Sequence, residues 1–472
     1  MILQERVKLL LLFVLLSISL NSFSTNTKFY NISDTYGITS GEAFSICKDQ
    51  YGFIWTSTKT GILRVTEGDC RNYELPCRTT DFVFVKLTYS NSQLFSYTNN
   101  GQIFHYDEPT DQFFFLTDLR EETDNSHITI GTIVADTSNV LWIASSIGLF
   151  KYENNILTKI PQTEEDIKHL TFYDDNHLFY ITSAGISLLN ISTSESRLLY
   201  SNITEDFFQV PSLYYDDQLK RLWIGTGSAG LFYYDIIRKS LSDIPIRNFP
   251  KQPILAIRKD AKNTLLIGID GQGIWNISEK GDTILHIYKE DLNNPFSLRG
   301  DGVYDILCDG SKNWIATFTG KLSFFENNNS QITPVTYQIN NPNSLGNNYV
   351  NQIIEDHEGH IWFATNNGVS RWDAASNKWK HYYQNKSEQA KVFLSLCEDN
   401  QGHIWAGSYS SGIYLLDRET GKTLKHYSSK TNTPGFTGDF IFDFFVDKEG
   451  DVWIGGNQKL SCYLIKDCLL YT

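Results

Sequence analysis

The chain has 472 residues, 41% of them hydrophobic and 14% aromatic, and a formal net charge of −14. That length exceeds one ordinary core and calls for several domains or a repeat array, while the aromatic content argues against disorder. An acidic surface repels phosphate backbones, so nucleic acid is not an expected partner.

Residues 1–24 read as a targeting segment. Arg6 and Lys8 form a basic lead-in, and "LLLLFVLLSISL" (9–20) is an apolar run of signal-peptide length, short for a membrane span. Ser22 and Ser24 place small residues where a cut requires them. An uncleaved N-terminal anchor is the alternative. No later stretch approaches eighteen apolar residues, so no other membrane contact is expected.

From residue 28 onward one phrase recurs. Its anchors are Trp55, Phe95, Trp142, Phe179, Trp223, Leu266, Trp314, Trp362, Trp405 and Trp453, spaced 37 to 48 residues apart. Six or seven positions after each anchor stands a glycine, except after Trp453, where Lys459 takes its place. A period in this range signals a propeller or a solenoid.

The interior of a unit decides between them. In "VNQIIEDHEGHIWFATNNGVSRWDAASNKWKHYY" (350–383), "VNQII", "IWFAT", "VSRWD" and "KWKHYY" are strand-like, separated by the turns "EDHEGH", "NNG" and "AASN". Four short antiparallel strands make a propeller blade. The first turn repeats as Asp-x-x-Gly at Asp49/Gly52, Asp356/Gly359, Asp399/Gly402 and Asp447/Gly450. Glycine supplies the positive φ of a tight turn; Asn139 and Asn263 stand there in other units, and Asn tolerates that conformation. The repeated Trp is expected to fill the space between blades.

The fold expected is therefore all-β. Ten blades exceed one ring, and the polar stretch between Glu326 and Asn341 marks a split. Residues 28–326 are expected to form a seven-bladed propeller, 327–463 a partial second propeller of about three blades, and 464–472 a tail outside the repeat. "KFYNI" (28–32) resembles a fourth strand and is expected to complete the Trp314 blade and clasp the first ring. By the same logic "ITPVTYQI" (332–339) is expected as the opening strand of the second. The seven cysteines do not look like a disulfide framework. Cys47, Cys308 and Cys397 fall at a recurring strand position as small buried hydrophobes, while Cys70 and Cys77 are close enough for a local bridge.

The phrases "DQYGFIWTSTKTGIL", "DHEGHIWFATNNGVSRWD" and "DNQGHIWAGSYSSGIYLLD" resemble the two-component regulator propeller repeat, over roughly residues 28–460. The resemblance implies the periplasmic sensor of a hybrid two-component system of the Bacteroides type. Such a sensor recognises glycan fragments and switches genes for polysaccharide use. It implies an oligosaccharide ligand and signalling by paired copies, hence a homodimer. Family members carry two seven-bladed rings, a β-sandwich, a membrane helix, a histidine kinase and a response regulator. This chain stops inside the second ring and contains no kinase, ATP-binding or receiver motif; a truncated or frameshifted copy is the simplest account.

No catalytic residue, metal site or cofactor is expected. "HEGH" (357–360) lies in a blade turn, His403 repeats the position of His360, and the zinc-protease spacing is not met. Binding is expected where inter-blade connections and second-to-third-strand turns share one rim, because loops on a rigid scaffold carry recognition. The candidates there are Lys59, Asp270, Gln272 and Thr319, with Trp275 as the aromatic platform. The rival readings are a propeller enzyme acting on polysaccharide, through a carboxylate pair convergent in space, and a protein-interaction platform.

Overall fold

The computed structural model describes residues 27–471, except 33–41, 67–68, 162, 164, 202, 205–206, 208, 328–333, 385–390, 432–435, 437, 458–459 and 467–468. The expected targeting segment lies outside the described residues. Among the described residues, ten four-stranded antiparallel sheets follow one another along the chain. In blade 1 the strands are Ser45–Lys48, Ile54–Thr58, Gly61–Val65 and Cys70–Tyr73, hydrogen-bonded in that order.

Burial follows position within the blade. The second strands Ile54–Thr58, Leu141–Ser145 and Leu265–Ile269 are buried at every residue. A strand packed on both faces reads as a near-continuous apolar run instead of an alternating one. Outer strands such as Ile156–Lys159 and Ile284–Tyr288 are largely exposed.

The turn between first and second strands is held by a single carboxylate. Asp49 Oδ1 accepts the amides of Tyr51 and Phe53, both at 2.9 Å, and its Oδ2 accepts the Trp55 indole N–H at 2.7 Å. Asp136–Trp142, Asp356–Trp362, Asp399–Trp405 and Asp447–Trp453 repeat the indole bond at 3.1, 2.8, 2.9 and 2.7 Å. The positive φ expected in this turn is present at Gly359 (84°), Asn139 (61°) and Asn263 (59°). The later repeat glycine has a different cause. A Cβ on Gly148 would stand 1.8 Å from the Thr163 carbonyl oxygen, and one on Gly368 would stand 2.2 Å from that of Tyr382. The chain beyond the third strand passes too close for any side chain.

Each repeat Trp except Trp453 packs against the blade that follows it. Trp142 joins Leu170, Leu178 and Tyr180 of blade 4; Trp362 joins Leu396 and Ile404 of blade 9. Trp314 of blade 7 joins Ile46 and Ile54 of blade 1, which is the packing of a closed ring. The expected clasp is there: strand Phe29–Asn31 pairs antiparallel with the third strand of blade 7, Phe29 opposite Phe325. Phe29 is 3% exposed, with its ring centroid 5.0 Å from that of Phe325 and 5.4 Å from that of Tyr288. The closing strand thus carries its own core residue.

The chain divides into two compact units, one made of Met1–Asp291 and Phe296–Asn329, the other of Leu292–Pro295 and Ser330–Thr472. The second unit holds three blades, spanning residues 350–382, 393–427 and 441–471. Three expectations are corrected. Residues 334–339, the described part of "ITPVTYQI", form no strand, and Val335, Tyr337 and Ile339 are exposed. Residues 464–472 are not wholly outside the repeat, because strand Leu469–Tyr471 pairs with Leu460–Leu464 as the fourth strand of the last blade. Cys70 and Cys77 are both free, Cys70 packed against the core that holds Trp314 and Cys77 against the core that holds Trp55.

Candidate functional site at the mouth of the first ring

In each blade the turn between second and third strands lies at the same end as the connection to the next blade. At that end of the first unit is a cavity of about 390 Å³. All seven blades contribute to its lining: Phe44 from blade 1, Phe84 and Lys86 from blade 2, Gly131 from blade 3, Lys168 from blade 4, Gln209 to Pro211 from blade 5, Leu255 from blade 6 and Tyr304 from blade 7. A cavity that every blade lines sits on the ring's central channel. Its size falls in the range of small-ligand sites.

The aromatic wall is built from the closing seam. Phe44 is buried and meets Tyr304 edge to face at 5.4 Å. Burial raises the Tyr304 phenol above its ordinary value, and the charges of Asp270 and Glu42 add to this. In blade 2, next to the seam, Lys86 holds its ammonium 5.0 Å from the centroid of Phe84. Burial lowers the Lys86 ammonium; Asp305 opposes that shift and Arg258 assists it.

Just below the lining, the first strands of successive blades place charged groups in the channel. Arg258 Nη2 lies 3.1 Å from Asp305 Oδ1, and Asp305 Oδ2 accepts the Ile46 amide at 3.0 Å. One carboxylate therefore ties blades 6, 7 and 1 across the ring closure. His169 is pushed down to about 3, by burial first and then by the charges of Lys86 and Arg258. It is a neutral imidazole at neutral pH, and its Nδ1 has no hydrogen-bond partner among the described residues.

The sequence-predicted residues lie around this mouth and not in it. Lys59 and Thr319 occupy the second-to-third-strand turns of blades 1 and 7, and both are exposed. Asp270 and Gln272 occupy that turn in blade 6, where Gln272 Oε1 accepts from Lys289 Nζ at 3.0 Å. The segment Gly300–Gly302 brings Thr319 and Asp270 near one another: a Cβ on Gly300 would meet Thr319 Oγ1, and one on Gly302 would lie 3.2 Å from Asp270 Oδ1. Trp275 is corrected as a platform. It is 9% exposed, packed edge to face on Phe249 at 5.1 Å within the core shared by blades 5 and 6. The third strand, which holds it, is interior to the blade. Lys86, Arg258 and Asp305 escaped the sequence reading, though a signal was present: each is a charged residue inside an apolar first strand, in "VFVKLTYS", "ILAIRKD" and "VYDILCD".

Elsewhere, His360 and His403 bond through Nδ1 to the turn carboxylates Asp356 and Asp399 at 3.1 and 3.3 Å, which is a structural role. Among the described residues no group of three His, Cys, Asp or Glu could hold a metal ion. No helix among them is long and apolar enough to cross a membrane.

The profile of the two component regulator propeller matches residues 344–367, 387–410 and 435–458, one match for each blade of the second unit. Solved structures match over most of the chain. An extracellular domain assigned to a one component system of B. thetaiotaomicron is 19% identical, with TM-score 0.52 over 94% of this chain and 67% of that one. One assigned to a hybrid two component system of the same organism is 16% identical, with TM-score 0.53 over 94% and 73%. Virginiamycin B lyase of Staphylococcus aureus, 13% identical, covers 64% of this chain and 99% of its own at TM-score 0.51. At these identities the likeness is one of fold. No curated protein matches the chain.

Proposed function

From a chain that carries two-component regulator propeller repeats, on a fold shared with extracellular domains of such systems, we propose that the protein is the periplasmic, ligand-sensing propeller portion of a hybrid two-component sensor. Its ligand is an oligosaccharide, bound at the mouth of the first ring. The observation that carries this reading is the cavity itself, lined from all seven blades, with aromatic and polar side chains among aliphatic ones. Sugars present apolar ring faces and hydroxyls together, and Phe84, Tyr304, Asn99, Thr129 and Gln209 offer matching groups. Signalling requires that the ligand bind two arrangements of paired sensors with different affinity.

The enzyme reading is weaker, because no Asp or Glu is among the described residues that line the cavity, and glycoside hydrolysis of the usual kind needs a carboxylate pair. The test is calorimetric titration of the chain with a panel of tetrasaccharides. One or more should bind without turnover, and Tyr304→Ala should weaken that binding at least tenfold with the melting temperature kept. Release of shortened sugars would favour the enzyme; binding indifferent to Tyr304 would move the site elsewhere.

A further inference from the structure

The charges of the mouth narrow the class of ligand, on the premise that the mouth is the sensing site. The chain as a whole is acidic, at −14. Yet the charged groups among the described lining residues are both cations, Lys86 and Lys168. Lys168 is already neutralised, with Nζ 2.7 Å from Asp166 Oδ2. Arg258, deeper in the channel, is neutralised by Asp305 at 3.1 Å. Lys86 is different. It is partly buried, with its ammonium 5.0 Å from the centroid of the Phe84 ring; Asp305 acts on it only from beyond salt-bridge distance, and no ion pair or hydrogen bond to the ammonium is formed among the described residues.

An ammonium withdrawn from bulk water without a counter-ion is costly, and such groups are ordinarily paired or bonded. A cation over an aromatic face keeps part of its solvation loss uncompensated. An incoming anion is the partner that restores the balance, in a site where a neutral hydroxyl would restore less. Two neighbouring features lean the same way. His169 is held neutral by burial first and then by the charges of Lys86 and Arg258, and it can donate or accept without adding a negative charge. Tyr304 of blade 7, whose phenol stays protonated, is a donor in the same lining.

We propose that the mouth of the first ring takes an acidic oligosaccharide, with a carboxylate or sulfate on the Lys86 ammonium and sugar rings against Phe84 and Tyr304. The class is thus uronic-acid or sulfated glycan fragments, and neutral glucans are disfavoured.

The test is calorimetry on the 472-residue chain with three size-matched probes: tetragalacturonate, a chondroitin sulfate tetrasaccharide and maltotetraose. At least one acidic probe should bind tenfold or more tightly than maltotetraose, and the two acidic arms separate carboxylate from sulfate recognition. Lys86→Gln should weaken the acidic probe at least tenfold, while Lys425→Gln, on the exposed surface of the second unit, leaves it unchanged. Should Lys86→Gln lower the melting temperature, raising salt on the unmodified chain is the second readout, and affinity for the acidic probe should fall with ionic strength. Maltotetraose binding as tightly as the acidic probes, or acidic binding indifferent to both Lys86 and salt, overturns the proposal. If maltotetraose binds and Tyr304→Ala abolishes it, the mouth remains a glycan site and only the acidic class is lost. If no tetrasaccharide binds, both readings fall.

Discussion

Trp405 and Trp453 hold the same place in two successive blades, 48 residues apart. Each indole donates to the carboxylate six positions earlier, at 2.9 and 2.7 Å. Trp405 is fully buried, covered by Ile441, Phe444 and Val452 of the next blade, whereas Trp453 is 38% exposed and no later blade among the described residues covers it. The repeat therefore encodes two separable things. The turn, the carboxylate and the indole bond are written within one blade; the burial of the indole is supplied by its neighbour. In the first unit the neighbour always exists, because Phe29–Asn31 completes blade 7 and lets Trp314 pack on blade 1.

The most damaging change should be removal of residues 27–32. It takes away a paired strand and the Phe29 core residue, and so should cost more than the ~3–5 kcal/mol of emptying a Phe site alone; an unchanged urea midpoint for the first unit would break the comparison at its strongest point. Next in size, Trp405→Ala should cost about 3–5 kcal/mol by the cavity rule. Trp453→Ala, with less burial to lose, should cost about 1–2 kcal/mol. Equal losses in chemical denaturation would mean that the neighbouring blade contributes nothing.

Smaller effects sharpen the local half of the account. Asp399→Ala leaves two amides and a buried indole N–H without an acceptor, at about 1–3 kcal/mol; Asp447→Ala should cost less, because water reaches Trp453. For two of the turn carboxylates, Asp356 and Asp447, the pH behaviour has a definite sign. Burial alone would raise the Asp356 carboxyl, but the Trp362 indole and the amides of His360 and Glu358 hold it below the usual carboxylate range. The Trp453 indole does the same for Asp447 against a small burial effect. The folded state therefore favours their ionised forms, and that stability, present above about pH 4, is lost as pH falls further.

His169 titrates in another window. Its folded-state value, about 3, lies below that of the unfolded chain near 6.5, so the unfolded state binds the extra proton between those limits. The first unit should lose about 1–2 kcal/mol between pH 7 and pH 5, and His169→Gln should flatten that slope in urea titrations at the two pH values.

The ring was legible because the blade code is local. The Asp-x-x-Gly turn, the strand periods and the Trp anchor all fall within about twenty residues, and the clasp strand "KFYNI" announces itself by likeness to other fourth strands. The indole bond of the Asp was equally local, as Asp-x5-Trp, but the turn explained the Asp and hid its second oxygen. The mouth was legible only in part. Lys59, Asp270, Gln272 and Thr319 lie on the rim of second-to-third-strand turns, since turn geometry alone assigns them to it. What converges on the axis depends on the first strand of every blade, where residues such as Lys86 and Tyr304 are over two hundred positions apart. Trp275 misled because a rim loop and an interior strand lie only a few residues from each other. The last strand, Leu469–Tyr471, repeats the "LLY" that ends the fourth strand Glu195–Tyr200, but it follows a unit whose repeat glycine is replaced by Lys459 and is easily passed over.

The central claim is that the mouth of the first ring is where ligand is sensed. Hydrogen exchange of the chain with and without the tightest-binding tetrasaccharide tests it most directly. The account predicts slowed exchange at residues 84–86, 129–131, 209–211, 253–255 and 304, one set from each side of the channel. Protection confined to the second unit or to the outer strands, with the mouth unchanged, would contradict it.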